Sequence, residues 1–423
     1  MRILWLSANL LLPLDKGGKL RTWHVMRHLA AQHSITYLSF ADPEAAAEDL
    51  RGMAEVCDKL VTVPRGERPK SGPRFAIDVM RHLVNPLPFA VAQYRSLRYA
   101  RTVRDELASG AYDRVVCDFL VPAVNMPRRL PCPSLLFTHN VEAEIWRRHA
   151  DTAGSWLRRR LYRQQWERMQ RFESRTLSAF DRVLAVSDLD RQTFHRLYPE
   201  SRKTPISVIP TGVDTDYFTP APAEPGATPR IVFTGSMDWL PNVDGVLYFA
   251  REILPLIRAE APEVVFTIVG RSPTAEVLEL ASQPGIEVTG RVDDVRPYLA
   301  ASTVNVVPLR IGGGTRLKIF EAMAAGRAVV STTIGAEGLP GEPDRHLMLA
   351  DDPPSFAQSV VALLQDRERR LAMESAARTL VTTHYDWAAA AAHFDKALAD
   401  TATAEPTTSS AVSLISIGPV RPS

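Results

Sequence analysis

Thr303-Val-Asn-Val-Val307-Pro-Leu-Arg-Ile-Gly312-Gly313-Gly314-Thr315-Arg316-Leu-Lys318-Ile-Phe-Glu321-Ala-Met-Ala-Ala-Gly326 passes from an apolar, strand-like run through three glycines into a run of good helix formers. Glycine lets the backbone turn sharply and lets a ligand come close to the amides. The first turn of the helix that follows offers unpaired N–H groups and the positive end of a dipole, a seat for phosphate. Arg316 and Lys318 add two positive charges there. Glu321, further along, is unsuited to phosphate, and a carboxylate beside a phosphate site accepts from hydroxyls such as those of a ribose. The stretch therefore predicts strand, turn and helix around a nucleotide diphosphate, with Gly312, Gly313, Gly314, Thr315, Arg316, Lys318 and Glu321 as donor-binding residues. A solvated helix face after an ordinary strand-to-helix turn is the competing reading.

The same alternation runs along the whole chain. Apolar runs predict strands at Arg2–Ala8, Ser34–Phe40, Arg114–Asp118, Ser134–Thr138 and Arg182–Ser187, then at Ile231–Gly235, Val264–Gly270, Ile286–Thr289, Thr303–Val307 and Ala328–Ser331. Helical patterns such as Lys19–Ala31, Val243–Glu260 and Thr315–Ala325 separate most of them. Runs without strict alternation suit strands covered on both faces, hence parallel sheets with crossover helices. Between the two series, Pro210, Pro220, Pro222, Pro225 and Pro229 mark a linker. The expected fold class is α/β, with two doubly wound Rossmann-like domains facing each other across a cleft, where such sheets bind ligands. The expected boundaries are an N-terminal domain 1–209, a Pro-rich hinge 210–229, a nucleotide-binding domain 230–383, a C-terminal helix 384–400 and a disordered tail 401–423 poor in core-forming residues.

Composition excludes several classes. At 423 residues, 45% apolar and 23% charged, the chain is an ordinary globular protein of two to three domains. A net charge of +2 argues against a general nucleic-acid binder. Cys57, Cys117 and Cys132 form no metal-ligand spacing and read as reduced thiols of a cytoplasmic protein. The apolar start Met1–Pro13 lacks a cleavage site and is expected to be a buried first strand, and no apolar run is long enough to span a bilayer. Between Arg147 and Arg175, arginines alternate with Trp156, Tyr162, Trp166 and Phe172. A basic amphipathic helix of this kind can lie on anionic lipid at the inner face of the cytoplasmic membrane, or can be a packed helix with a solvated face.

Three further segments, taken with the first, resemble the nucleotide-sugar glycosyltransferases of family 4, which have the two-domain GT-B fold. They are Val208-Ile-Pro-Thr-Gly-Val-Asp214 with Phe218, Arg291-Val-Asp-Asp-Val-Arg-Pro-Tyr-Leu299, and Glu321-Ala-Met-Ala-Ala-Gly-Arg-Ala-Val-Val-Ser331. The resemblance implies a glycosyltransferase that moves a sugar from a nucleotide diphosphate sugar to a hydroxyl acceptor, with retention. A lipid-linked acceptor in bacterial polysaccharide or glycolipid assembly follows from family habit. No cofactor and no metal is implied, since amides and basic side chains neutralise the diphosphate. Glu321 matches the second glutamate of the family's E-x7-E motif, while Gly313 stands where the first should lie. Gly235 and Ser236 fall in the family's G-R-x5-K segment, but Ser236 replaces the arginine and Asn242 the lysine, which leaves Arg316 and Lys318 to supply the charge. Arg291 is implied beside the base. Asp15-Lys-Gly17-Gly18 resembles the glycine loop that closes over the donor phosphate, and His139 matches a position near the reacting sugar. His139, Arg316 and Lys318 are therefore the candidate catalytic residues. Two other functions stay open: a nucleotide-sugar epimerase of the same fold, and a non-catalytic nucleotide-sugar-binding partner of a polysaccharide assembly, suggested by Gly313.

Overall fold

The computed structural model describes residues 1–14, 17–66, 85–151, 153–221, 228–311, 317–339 and 341–403. It divides into two units, Met1–Ile209 with the segment from Ala391 onward, and Pro210–Ala390.

The first unit holds a seven-stranded sheet: β1 Arg2–Leu6, β2 Ser34–Ala41, β3 Lys59–Pro64, β4 Arg114–Asp118, β5 Ser134–Phe137, β6 Arg182–Ala185 and β7 Ile206–Val208. The order is β3-β2-β1-β4-β5-β6-β7, and neighbouring strands pair in parallel. The second unit holds β8 Arg230–Thr234, β9 Val265–Val269, β10 Ile286–Gly290, β11 Val304–Val307, β12 Ala328–Ser331 and β13 Met348–Leu349, in the order β10-β9-β8-β11-β12-β13 and again parallel. Both are doubly wound. The order reverses between β1 and β4 in one sheet and between β8 and β11 in the other, and such points open a crevice at the carboxyl ends of the strands. Every residue of β4, β5, β11 and β12 is buried, as parallel strands covered on both faces require.

The expected helices form with shifted ends. Gly17–Leu29 begins two residues early. The expected Val243–Glu260 helix starts at Leu240 and passes through a π turn, Phe249–Ile253, just before Pro255. Proline has no N–H to give to the preceding turn, and a widened turn accommodates that loss. Leu317–Ala324 stops at Gly326, whose φ of 66° is the left-handed end a glycine tolerates. The Arg327 N–H then closes on the Ala322 carbonyl at 2.9 Å.

Three expectations need correction. The hinge 210–229 is not free along its first half: Val213 and Phe218 are buried in the second unit's core, and Arg378 donates to the carbonyls of Thr215 and Phe218. Residues 222–227 lie outside the described segments. The boundary at Thr401 also moves, because the last helix runs Trp387–Thr403. Thr401 is 1% exposed and accepts from Arg182 Nε at 2.9 Å. On the same helix Phe394 stacks on Trp5 at 5.2 Å in the first unit's core. Residues 404–423 lie outside the described segments.

The third correction concerns Arg147–Arg175, which is two helices, Glu142–Asp151 and Trp156–Leu177. The first is capped by the Glu173 carboxylate, which accepts the Glu142 and Ala143 N–H groups at 2.8 and 3.2 Å. Met169 and Phe172 are buried in a protein core, as the packed-helix alternative has it. What remains outside is the start of the second helix, with Trp156 74% and Leu157 53% exposed beside Arg158, Arg159, Arg160 and Arg163. Among the described residues no helix is long and apolar enough to cross a membrane.

Candidate active site

In the second unit, the turn after β8 is shaped by close approach. A Cβ on Gly235 would lie 2.6 Å from Lys318 Nζ and 2.7 Å from Asn242 Nδ2. A Cβ on Gly270 would lie 1.7 Å from the Gly235 carbonyl oxygen, so the ends of β8 and β9 meet backbone to backbone. Lys318, one residue into its helix, donates to Asn242 Oδ1 at 2.9 Å, with Nζ 3.9 Å from the centroid of the Phe233 ring. Asn242 donates from Nδ2 to the Ser236 carbonyl at 2.8 Å. Lys318 is therefore brought to the turn that holds Gly235 and Ser236. Gly312, Gly313, Gly314, Thr315 and Arg316 lie outside the described residues.

Glu321 follows Lys318 by almost one turn. It keeps some exposure at the surface, yet its surroundings desolvate the carboxyl and push it up to about 7, against the downward pull of the Lys318 charge. It can thus exist in both protonation states near neutrality. Arg291 is exposed just past the edge strand β10. The cation on the neighbouring strand end is one that sequence reading missed: Arg271, two residues beyond β9, donates from Nε to Ser236 Oγ at 3.0 Å. Its position after a strand end was the available signal. Among the described residues no group of His, Cys, Asp and Glu side chains could hold a metal.

In the first unit, the segments after β1, β4 and β5 converge. Gly17 and Gly18 open the helix after β1; Asp15 and Lys16 lie outside the described residues. Asp118, fully buried at the end of β4, accepts from Thr22 Oγ1 at 3.0 Å and bonds His139 Nε2 at 2.7 Å. His139 Nδ1 stands 3.0 Å from Arg21 Nη1. A guanidinium only donates, so Nδ1 accepts and the proton sits on Nε2, pointing at Asp118. Burial lowers the His139 pKa more strongly than Asp118 raises it, which agrees with a neutral ring. Burial also lowers the Arg21 guanidinium to about 10, against the pull of Asp190 and Asp118, which leaves it charged at neutral pH.

Both His139 ring nitrogens are bonded to protein groups and the side chain is 2% exposed, so in this arrangement the ring presents no nitrogen to solvent. Phe119 stacks on the ring at 3.8 Å and 11°. Phe119 has a φ of 67°, a left-handed conformation unusual for a bulky side chain. Its Cζ would lie 2.4 Å from a Cβ on Gly18. Gly18 is thus required by close approach, and the buried network fixes where the glycine turn ends. The network was legible only in part: His139 stood out at a strand end, while Asp118 looked like one more strand residue.

Comparison with known proteins agrees with this architecture. Residues 16–217 match the family described as Glycosyltransferase Family 4, and residues 228–366 match Glycosyl transferases group 1. A GDP-mannose-dependent alpha-(1-6)-phosphatidylinositol monomannoside mannosyltransferase of Mycobacterium tuberculosis is 28% identical over 49% of this chain and 58% of its own. A D-inositol 3-phosphate glycosyltransferase of Xylanimonas cellulosilytica is 31% identical over 52% and 57%. The matched stretches thus take in little more than half the length of these curated relatives. The solved sucrose-phosphate synthase of Thermosynechococcus elongatus superposes with a TM-score of 0.69 at 16% identity, covering 95% of this chain and 98% of that one. With two parallel doubly wound sheets and family matches across both units, the chain belongs to glycosyltransferase family 4 and has the GT-B fold.

Proposed function

We propose that this protein transfers a sugar from a nucleotide diphosphate sugar to a hydroxyl acceptor, without a metal or other cofactor. The observation that carries the reading is Lys318, held at the Gly235–Asn242 turn by a 2.9 Å bond to Asn242, with Glu321 on the same helix. The cation would neutralise the charge that builds on the diphosphate as the glycosidic bond breaks, and Glu321 would accept from the ribose. Arg316 would add charge to the same phosphates. In the first unit, Gly17 and Gly18, set in place by Phe119 and the Asp118–His139–Arg21 network, would give a ligand close approach to the backbone amides. The reaction would retain anomeric configuration, as the family implies.

The Mycobacterium tuberculosis relative's name specifies a GDP-mannose donor and a phosphatidylinositol monomannoside acceptor. By analogy we place this chain's acceptor on a lipid carrier at the inner face of the cytoplasmic membrane, in polysaccharide or glycolipid assembly. The exposed end Trp156–Arg163 would be the membrane contact. Gly313 in place of a family glutamate favours one other reading, a partner that binds the nucleotide sugar without turning it over. Incubation with a panel of nucleotide sugars and a bacterial lipid extract separates the two. Acceptor-dependent release of nucleoside diphosphate is the expected result; binding without release would replace transferase with binding partner.

A further inference from the structure

Three segments of the second unit meet at the carboxyl ends of adjacent strands. Arg271 leaves β9, the Gly235–Asn242 turn leaves β8, and Lys318 lies on the helix that follows β11. Arg271 is tied to the turn through both backbone and side chain: its carbonyl accepts the Met237 N–H at 2.9 Å, and its Nε donates to Ser236 Oγ at 3.0 Å. Ser236 Oγ in turn donates to Asp238 Oδ1 at 2.6 Å, which leaves a lone pair for Arg271. Lys318 is tied to Asn242 Oδ1. The acceptors that the turn offers these two head groups are a hydroxyl and an amide. These bonds fix where the two head groups sit, and a positioned cation attracts an incoming anion.

We propose that Arg271 and Lys318 form a two-cation seat for the diphosphate of the donor, with Ser236 and Asn242 as the brackets that hold the head groups in place. The inference rests on the nucleotide-sugar reading and adds Arg271 to it. The two cations come from different segments of the chain and are held at one short turn, Arg271 at Ser236 and Lys318 at Asn242. A diphosphate carries charge at two phosphorus centres and can engage both, where a carboxylate or a single phosphate engages one. Gly235 lies between them with no side chain, and any Cβ there would displace Lys318. Ser236 and Asn242 occupy the positions at which the family resemblance placed an arginine and a lysine. Here each receives its cation from another strand, so the charge is conserved in space while its source in the sequence has moved.

Calorimetric titration of the full chain with UDP, GDP and ADP, and with the matching nucleosides, tests this. Arg271→Gln and Lys318→Gln keep a polar head for the brackets and remove the charge. Each is expected to weaken binding of the preferred nucleoside diphosphate about 10- to 100-fold, from a charge-assisted hydrogen bond of ~1.5–3 kcal/mol. Nucleoside binding and melting temperature should hold. Asn242 sits 2.9 Å from Lys318 Nζ, so Asn242→Lys on a Lys318→Ala background should bring charge back to the same place and recover at least part of the loss. Diphosphate affinity unchanged in the Gln variants overturns the proposal, as does equal weakening for nucleoside and diphosphate, or no recovery with Asn242→Lys. Failure of the wild type to bind any of the three diphosphates overturns the nucleotide-sugar reading itself.

Discussion

Glu321 gives the sharpest test of nucleotide recognition, because binding and stability should respond to its charge in opposite directions. Its carboxyl stands at about 7 in the folded protein against 4.5 for an ordinary glutamate. A carboxyl near 7 is about 10% ionised at pH 6 and about 90% ionised at pH 8. If the ionised form accepts from the ribose, affinity for a nucleoside diphosphate should rise roughly ninefold between those pH values on account of this residue alone. The phosphates of the ligand titrate in the same range. The quantity to read is therefore the ratio of wild-type to Glu321→Gln affinity at each pH, measured by calorimetry. That ratio should grow with pH.

Stability runs the other way. The folded-state pKa is raised, so the folded protein holds this proton more tightly than the unfolded chain. Stability from this site is present below about 4.5 and is lost as pH rises through about 7. The loss at pH 8 is at most about 3.5 kcal/mol, from 2.5 pH units at ~1.4 kcal/mol each. Glu321→Gln should then melt higher than wild type at pH 8 while binding more weakly. An affinity ratio flat across pH, or a Gln variant no more stable at pH 8 than wild type, would refute the reasoning.

Other outcomes follow from the same geometry. Turnover should survive chelator treatment; abolition by EDTA with rescue by magnesium or manganese would contradict charge neutralisation by Lys318 and its neighbours. Deleting residues 404–423 should leave the urea midpoint in place, while ending the chain at Asp400 should lower stability by about 1–2 kcal/mol, through the two hydrogen bonds of the Thr401 hydroxyl. Ending it before Phe394 should unfold the first unit, since that ring also packs edge-on against Phe137 at 5.2 Å. The protein should sediment with anionic vesicles and detach at high salt, and Trp156→Ser with Arg159→Glu and Arg160→Glu should abolish sedimentation. Equal recovery in the supernatant with and without vesicles would return this surface to solvent.

The interior of both sheets was legible in the sequence, because strands covered on both faces leave contiguous apolar runs such as Val304–Val307. The edges were not. Lys59–Pro64 at one edge and Ile206–Val208 at the other are only half covered, and Met348–Leu349 is too short to leave a pattern. The π turn before Pro255 followed from a proline that periodicity counts as apolar. At the site, Lys318 and Glu321 were readable from local spacing. The partners that give them meaning were not, since Asn242 lies 76 positions from Lys318, and Arg271 lies 35 from Ser236. His139 stood out as a histidine at a strand end, but one sequence cannot tell a ring facing substrate from one held between Asp118 and Arg21.

The central claim is sugar transfer, and one measurement addresses it directly. The full chain would be incubated with UDP-, GDP- and ADP-sugars labelled in the sugar, with and without a lipid extract from a bacterial membrane. One donor should lose its label to the lipid fraction, releasing an equal amount of its nucleoside diphosphate only when the extract is present. Label recovered as an isomerised nucleotide sugar without acceptor, or retained on an unchanged donor that the protein nonetheless binds, would contradict the account.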